Sequence, residues 1–510
     1  MGNMNLEVIP DVKRTDLVIG LTYAVGTRED IVIGMLGEKL KEFKYHVHVI
    51  KISEMIVSKG GKTSDSSYQK ISQLMDTGNT MRRASGEYGI LALAAIELIL
   101  RTRDQTGDGE SPPDGEDSFG NAFIVSSLKH PREADILREI YSSSFFLVAI
   151  NENEEQRCIN LTERRNMGLD DARKLVKRDE GEDEPFGQHT RAVFEMADIH
   201  LSLNLTSSSE KVKTKNEGLL KEQVDLQVSR VLDLIFANPF ITPTFDEYAM
   251  FMAYASSLRS ADLSRQIGAV ITNSLQEIIA TGANEVARFG GGQYWPDPEN
   301  FKDEDGGRDY TRGVDANRAE RSQIIDEIVN IFNFEGHEDE KEQVRQSLTQ
   351  SRIKFLTEYS RPVHAEMSAI IACARSGISL NGATLYCSTF PCHNCAKHII
   401  NAGITRVVFI EPYPKSKTIE LYSDSASITH EEKKVSFEEF VGIGPRKFFD
   451  LFSLKLSSGR SIIRQDSRGI VHWERASARL RCPLVASYTD REKLKVIQLN
   501  QLWKKVEEAM

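Results

Sequence analysis

Residues 364–410 decide the fold of the second half of the chain: HAEMSAIIACARSGISLNGATLYCSTFPCHNCAKHIINAGITRVVFI. Two stretches with helical periodicity, each closed by a glycine, alternate here with two short apolar stretches. The pattern predicts, in chain order, a helix from His364 to Arg375, a strand from Ala383 to Ser388, a helix from Cys392 to Ala402 and a strand from Arg406 to Ile410. Such alternation is typical of an α/β fold in which helices cover a sheet.

The same stretch carries three metal-ligating side chains. Cys392 and Cys395 lie three residues apart at the start of a predicted helix, so they share one face, and a helix N-terminus favours thiolates. His364, at the start of the preceding helix, supplies a third ligand. Three protein ligands leave a position for water, which is typical of a catalytic zinc site. A lone C-x-x-C pair would equally indicate a redox motif or half of a structural zinc site, and the upstream histidine favours catalytic Zn2+.

Glu366 follows His364 by two residues and is predicted to face the same site without being a ligand. A carboxylate in that position can take a proton from water and deliver it to a leaving group. The order H-x-E followed by P-C-x-x-C is the signature of nucleobase deaminases. The remaining cysteines lack partners at ligand spacing, and we predict that they are core residues: Cys158, Cys373, Cys387 and Cys482.

With these motifs the chain resembles the deoxycytidylate deaminase family, within the cytidine-deaminase-like α/β/α fold, over about Thr244 to Asp424. Three further segments carry the likeness: SADLSRQIGA (260–269), ATGAN (280–284) and IEPYPKS (410–416). The resemblance implies that Asn284 meets the deoxyribose. It also implies that several side chains lie near the base or the phosphate: Ser260, Arg265, Tyr413, Lys415 and Ser416. For Arg265 and Lys415 the alternative is an ordinary surface charge.

The first half of the chain is predicted to form a separate α/β unit. Four apolar stretches alternate with helical ones and read as buried strands: Leu17–Leu21, Val47–Ile52, Ala122–Val125 and Phe145–Ile150. This order indicates a parallel sheet with helices on both faces. The boundary between the halves is predicted near Asn216 to Pro243, which gives domains 1–236 and 237–510.

The glycine-containing stretch GLTYAVGT, residues 20–27, follows the first predicted strand and precedes a helix. Loops of this kind direct backbone N–H groups at a phosphate. A complete P-loop reads G-x-x-x-x-G-K-[ST], but here the second glycine is one residue late and no lysine precedes Thr27. We therefore expect Gly20, Gly26 and Thr27 to bind a regulatory nucleotide without phosphoryl transfer. The alternative is a glycine turn that only lets a helix pack on a strand.

A degenerate P-loop-kinase-like half followed by a deoxycytidylate-deaminase-like half resembles the bacterial anti-phage dCTP/dCMP deaminases. The segments that carry this likeness are 20–30, 74–79 (LMDTGN), 127–131 (SLKHP), 290–295 (GGGQYW) and 440–452. The resemblance implies a zinc-dependent hydrolase that converts free deoxycytidine nucleotides, dCTP or dCMP, into deoxyuridine nucleotides. DNA precursors would then be depleted during viral infection. A regulated enzyme is implied as well, and we expect a homo-oligomer.

Composition and charge exclude several other classes of protein. Hydrophobic residues make up 40% and charged residues 27% of the 510 residues, which excludes wholesale disorder. No apolar stretch approaches the roughly 20 residues of a membrane span, and no secretion signal is readable. Six cysteines make no disulfide framework in a chain of this length, so we expect a cytoplasmic protein.

The 64 Lys and Arg against 75 Asp and Glu give a net charge of −11, which disfavours binding to a polynucleotide. A deaminase that acts on nucleic acid would need a basic groove with interleaved aromatic residues. That enzyme nevertheless remains an alternative. A nucleotide-sensing regulator with a silent deaminase half is another, and a kinase is the least favoured.

Overall fold

The computed structural model describes residues 14–59, 66–106, 119–180, 186–205, 217–332, 334, 337–413, 416–484 and 487–509. The chain divides into two compact units. The first comprises Met1–Thr244 together with Val441–Met510, and the second comprises Phe245–Phe440. None of the helices in the described part of the chain combines the length and the apolar character that a membrane crossing requires.

The first unit is built on a parallel sheet. Its elements up to residue 244 are β1 (Leu17–Tyr23), α1 (Glu29–Glu42), β2 (Tyr45–Lys51), α2 (Ile52–Ser58), α3 (Ser67–Ser85), α4 (Ile90–Thr106), β3 (Gly120–Ser126), α5 (Pro131–Tyr141), β4 (Phe145–Asn151), α6 (Glu154–Arg165), α7 (Leu169–Glu180), α8 (Thr190–Glu195), β5 (Ile199–Ser202) and α9 (Glu217–Ile235). The strands lie side by side in the order β5-β4-β1-β3-β2, and all neighbouring pairs are parallel.

Both faces of this sheet are buried. In β4 the side chains of Phe145 and Leu147 join one apolar cluster, while Phe146 and Val148 join the cluster on the other face. A strand covered on both sides has no polar face, which explains why these strands read as continuous apolar stretches. The predicted parallel α/β architecture is confirmed.

The second unit combines a mixed sheet with covering helices. Its elements are α10 (Phe245–Ser257), β6 (Gly268–Thr272), β7 (Ile278–Ala283), β8 (Glu285–Val286), α11 (Asp309–Arg312), α12 (Ala316–Ile331), α13 (Glu338–Gln350), β9 (Pro362–Val363), α14 (Ala365–Ser376), β10 (Thr384–Thr389), α15 (His393–Asn401), β11 (Arg406–Glu411), α16 (Thr418–Leu421), β12 (Ala426–Ser427) and β13 (Val435–Glu439). The order across the sheet is β12-β13-β11-β10-β6-β7. The helix–strand–helix–strand order predicted for residues 364–410 is confirmed as α14, β10, α15 and β11.

Two glycines let helices lie directly on opposite faces of the β6–β7 hairpin. A Cβ on Gly268 would fall 1.8 Å from the Ala253 carbonyl oxygen of α10. A Cβ on Gly282 would fall 2.1 Å from the Ala365 carbonyl oxygen, at the start of α14. Such distances exclude any side chain at either position unless the helix moves. The depth at which α14 sits on the sheet therefore depends on Gly282.

Residues 441–509 return to the first unit, which differs from the predicted division at residue 237. They form β14 (Gly442–Ile443), α17 (Phe448–Phe452), β15 (Gln465–Asp466), β16 (Gly469–Ile470) and α18 (Tyr488–Ala509). The strand β14 pairs antiparallel with β5. From α18, Leu499 and Trp503 enter the apolar core of the first unit. Buried Glu492 accepts hydrogen bonds from Arg103 and from the Tyr141 hydroxyl. Such long-range contacts are invisible to sequence periodicity.

Candidate metal centre

Three ligand atoms converge in the second unit. His364 Nδ1 lies 3.5 Å from Cys392 Sγ and 3.3 Å from Cys395 Sγ, and all three ligand atoms lie within 4.8 Å of one another. With Zn–N near 2.0–2.1 Å and Zn–S near 2.3 Å, tetrahedral geometry places a nitrogen and a sulfur ligand about 3.6 Å apart. The donor set and its spacing therefore fit a zinc ion held by three protein ligands.

Two helix N-termini position these ligands. His364 is the residue that precedes α14, and Cys392 is the residue that precedes α15; both have extended backbone conformations. Cys395 lies in the first turn of α15, where the spacing of three residues brings it onto the same side as Cys392. The positive ends of both helix dipoles thus lie at the ligands, which favours thiolates and a bound metal–thiolate group.

The protonation of the ligands reflects their mutual contact. A hydrogen bond from the Cys395 thiol, followed by the hydrogen bond and charge of His364, lowers the pKa of Cys392 to about 4. The hydrogen bond with Cys392 in turn raises the pKa of His364 to about 9. Cys392 therefore has thiolate character already in the metal-free chain.

Glu366 lies in the first turn of α14, and only 4% of its surface is exposed. Burial raises the pKa of its carboxyl group, which also shares a hydrogen bond with the Cys395 thiol. This contact places the carboxylate beside the three ligands. Glu366 thus faces the metal site from the same helix turn as His364.

The buried side chains of Ser260 and Asn284 hold the loop 260–267 in place. The Asn284 amide donates to the Arg265 carbonyl at 2.8 Å and accepts from the Ile267 N–H at 2.6 Å. The Ser260 hydroxyl donates to the Asn284 carbonyl at 2.6 Å. Both predicted substrate residues therefore contact backbone. From the same loop, the charge of Asp262 acts on His364, a relation that the sequence analysis missed although the residue lies within the segment SADLSRQIGA.

Arg265 and Tyr413 come together at the end of β11. The guanidinium of Arg265 lies 5.5 Å from the centre of the Tyr413 ring, and its Nη1 donates to Glu411 at 2.7 Å. Glu411 also accepts from the Thr389 hydroxyl. Burial raises the pKa of Tyr413, and the charge of Cys392 adds to this effect. Glu411 was not among the predicted site residues, because its only signal in the sequence is its place at a strand end.

Two further residues of the segment 410–416 were expected near the base or the phosphate, and the structure describes only one of them. Lys415, expected near the phosphate, lies outside the described residues. Ser416 donates its hydroxyl to the Pro391 carbonyl at 2.8 Å and thereby fixes the backbone that leads into Cys392. The four cysteines predicted to be core residues are buried and free, which confirms that prediction.

The glycine-containing stretch of the first unit divides between a strand and a loop. Gly20 lies within β1, where a Cβ would fall 2.6 Å from the Leu128 side chain, so it serves packing and is not part of the loop. Gly26 has φ +86°, and a Cβ there would lie 2.6 Å from the Arg157 carbonyl oxygen. Thr27 is buried beside it. Of the three residues expected to bind a nucleotide, Gly26 and Thr27 are in the loop between β1 and α1.

Known proteins resemble this chain mainly in the second unit. Residues 243–411 match the family model described as the cytidine and deoxycytidylate deaminase zinc-binding region. Deoxycytidylate deaminase of Enterobacteria phage T2 is 47% identical over 55 residues, which cover 11% of this chain and 29% of that protein. The chain spans less than half the length of the phage and Bacillus subtilis relatives that it matches. Residues 243–411 are thus similar to the zinc-binding region of cytidine and deoxycytidylate deaminases.

The chain is also similar to two solved structures of different proteins. The dCMP deaminase of cyanophage S-TIM5, in complex with dCMP and dUMP, is 18% identical, covers 39% of this chain and all of its own, and gives a TM-score of 0.23. Shikimate kinase from Acinetobacter baumannii is 11% identical, covers 45% of this chain and 97% of its own, and gives a TM-score of 0.26.

Proposed function

We propose that this chain is a zinc-dependent hydrolase that deaminates free deoxycytidine nucleotides, dCTP or dCMP. Water adds at C4 of the cytosine ring, the exocyclic amine leaves as ammonia, and a deoxyuridine nucleotide remains. The observation that carries the proposal is the placement of Glu366 against the His364, Cys392 and Cys395 group, within residues that match the deaminase zinc-binding model.

Each side chain of the centre has a distinct task in this proposal. His364, Cys392 and Cys395 would hold the ion, and zinc, when bound, lowers the pKa of water so that hydroxide is available near neutral pH. A carboxylate oxygen of Glu366 takes one proton of the water and delivers it to the ring nitrogen next to C4, which keeps it. Glu366 then carries the second proton from the new C4 hydroxyl to the amine, so that C4 becomes a carbonyl and ammonia leaves. Because Glu366 is buried, the proton that it carries is shielded from exchange with bulk solvent.

Substrate recognition is proposed for the rim of the centre. Arg265 and Tyr413, paired at the end of β11, offer a cation and an aromatic face to a nucleotide. Lys415 remains a proposed phosphate partner. Asn284 and Ser260 support the site by holding the loop that carries Arg265. The net charge of −11 favours a small nucleotide over a polynucleotide, whose many phosphates need a long basic surface.

We further propose that the activity depletes DNA precursors in a defence against phage, in the cytoplasm, and that the enzyme is a homo-oligomer whose first unit regulates the second. The support is the likeness of both halves of the sequence to the anti-phage dCTP/dCMP deaminases. A parallel sheet that carries a glycine loop without the phosphate-loop lysine suits a regulatory role better than phosphoryl transfer.

The test is a competition at one concentration of zinc-loaded full-length protein among dCTP, dCMP, CTP and a cytosine-containing single-stranded oligonucleotide. Uracil products are separated by chromatography and ammonia is measured in parallel. We expect a deoxycytidine mononucleotide, as triphosphate or monophosphate, to be converted fastest, and a Glu366→Gln variant with equal zinc to be inactive. Faster conversion of the oligonucleotide would reject the substrate class. No conversion of any substrate by the zinc-loaded protein would reject the activity.

A further inference from the structure

Two backbone donors of the loop Ala24–Arg28, here called the Gly26 loop, are bonded to carboxylates of the chain. The Val25 N–H donates to Asp179 Oδ2 at 2.7 Å, and the Arg28 N–H donates to Glu152 Oε2 at 2.9 Å. A glycine loop between a strand and a helix presents such N–H groups to anions. In this chain the anions in contact with them are two carboxylates of the protein itself.

Asp179 receives the same combination of donors that a phosphate group receives in phosphate-binding loops, a backbone N–H and a lysine ammonium. Lys129 Nζ lies 2.9 and 3.1 Å from the two Asp179 oxygens. Both residues are buried, with 0% of Asp179 and 8% of Lys129 exposed. Lys129 also donates to the Tyr23 carbonyl oxygen at the end of β1. The ammonium that the sequence lacks within the loop is thus supplied from the segment after β3.

Glu152 holds the other end of the loop. It forms a buried ion pair with Arg28, whose Nε lies 2.7 Å from Oε1. Asn160 of α6 donates to Glu152 and also to the Gly26 carbonyl at 2.9 Å. The Thr27 hydroxyl, which is buried, has no hydrogen-bond partner among the residues that the structure describes. The loop therefore contains one hydroxyl without a partner among the described residues, next to N–H groups that donate to carboxylates.

We propose that the Gly26 loop and Lys129 form an anion site for a phosphate group, and that the Asp179 carboxylate fills this site as an internal substitute. Asp179 lies near the end of α7. This end of the helix is also held by its neighbour Arg178, which donates a hydrogen bond to Asp76 of α3 at 2.6 Å. A phosphate group enters only when the end of α7 withdraws Asp179 from Lys129 and the Val25 N–H. The proposal concerns the first unit alone and is independent of the deaminase activity.

Removal of the Asp179 carboxylate tests the proposed anion site. In an Asp179→Ala variant of the full-length, zinc-loaded protein, Lys129 is left buried without its counterion, which is strongly destabilising. We expect its melting temperature to fall by about 5–15 °C. Inorganic phosphate, with ionic strength held constant by NaCl, should restore much of this loss, because an anion that binds only the folded state stabilises it.

Three comparisons isolate the site. Wild type and Asp171→Ala, which removes a partly exposed acid from the same helix, should show no phosphate-dependent shift of the melting temperature. The double variant Lys129→Met with Asp179→Leu removes both charges and should not respond to phosphate either. Equal rescue of that double variant, or no rescue of Asp179→Ala, would overturn the proposal.

Direct binding keeps the test decisive if Asp179→Ala does not fold. Asp179→Asn preserves the shape of the side chain and removes its charge, so calorimetric titration with inorganic phosphate and with GTP, which carries no cytosine for the metal centre, should detect binding that wild type lacks. Binding of both ligands assigns the site to the phosphate group itself, and binding of GTP alone assigns it to a nucleotide. Absence of binding by a folded Asp179→Asn variant would reject the site.

Discussion

Two sites of this molecule lie where a strand leads to a helix, the metal centre and the Gly26 loop, and they differ in the kinds of polar group that come together there. At the metal centre, the three groups that converge are all electron-pair donors, namely His364, Cys392 and Cys395. At the Gly26 loop, the two cationic side chains face carboxylates of the chain, as Lys129 faces Asp179 and Arg28 faces Glu152. Groups of one kind that converge need an external partner of the opposite kind, whereas complementary groups satisfy one another. The first arrangement indicates a resident ion, and the second indicates a site that the fold itself has filled.

The largest effect that this comparison predicts is on catalysis. Glu366→Gln should lower kcat by about 10²–10⁴-fold, because the side chain keeps its shape and loses its proton-carrying carboxylate. Zinc content, measured by emission spectroscopy, should stay at the wild-type value, and Glu338→Gln, an exposed acid of the same unit, should change neither quantity. Loss of zinc together with activity in Glu366→Gln would make the glutamate a ligand and contradict its role.

Removal of a ligand should affect the metal first. Cys392→Ala leaves two ligands, and a two-ligand site binds zinc weakly, so zinc and deaminase activity should be lost together. Cys387→Ala is the matched control, since Cys387 is also buried in this unit but is absent from the ligand group. Treatment of wild type with a chelator should reproduce the Cys392→Ala result, and added zinc should reverse it only in wild type. A fully zinc-loaded Cys392→Ala protein would contradict the ligand assignment.

Substitution of the two glycines that contact helices of the second unit, Gly268 and Gly282, distinguishes an effect on stability from an effect on catalysis. Gly282→Ala and Gly268→Ala each force a helix away from the hairpin, and each should cost about 1–3 kcal/mol of unfolding free energy. Only Gly282 contacts the start of α14, next to His364 and Glu366. Gly282→Ala should therefore also weaken zinc binding and lower kcat, with a smaller change in KM. Equal losses in both variants, by zinc titration and kinetics, would reduce Gly282 to a packing residue.

The smallest effect expected is an acid sensitivity in the first unit. Burial lowers the pKa of His200, in β5, to about 4. Between this pKa and the ordinary histidine value of about 6.5, the unfolded chain binds a proton at this histidine that the folded chain does not bind. The contribution of His200 to the free energy of unfolding is therefore complete above about pH 6.5 and decreases as the pH drops towards 4. The loss should reach about 3 kcal/mol at the acid end. Urea unfolding at pH 7 and pH 5, followed in wild type and His200→Gln, should show a flatter pH dependence in the variant. An unchanged slope would exclude His200 as the cause.

Short-range patterns made much of the second unit predictable. The ligands and Glu366 lie within four residues of helix starts. Pro391 before α15 and the glycines that end both helices made these helices recognisable, so spacing alone indicated that the side chains share one site. The buried strands of the first unit were equally clear, because sheets covered on both faces require apolar residues at successive positions.

The features that could not be predicted from the sequence depend on contacts between residues that are far apart in the chain. Glu411 meets Arg265 across 146 positions, and Lys129 meets Asp179 across 50. A charged residue looks the same in the sequence whether it faces water or a buried counterion, so neither pair was visible. The backbone contacts of Asn284 were hidden for the same reason, and its resemblance-based assignment to the sugar remains a proposal.

The return of residues 441–509 to the first unit has a consequence for the order of synthesis. A ribosome adds about 5–20 residues per second, so the second unit, ending at Phe440, is fully translated roughly 3–14 s before α18 is finished. Until then the first unit lacks Leu499, Trp503 and the Glu492 carboxylate, and the apolar surface that α18 later covers stays open to chaperones or to other nascent chains. A message cut short between residues 441 and 487 would yield a complete second unit attached to an unfinished first unit. Premature stop codons in that range should therefore lower the yield of soluble protein although all three candidate zinc ligands are present.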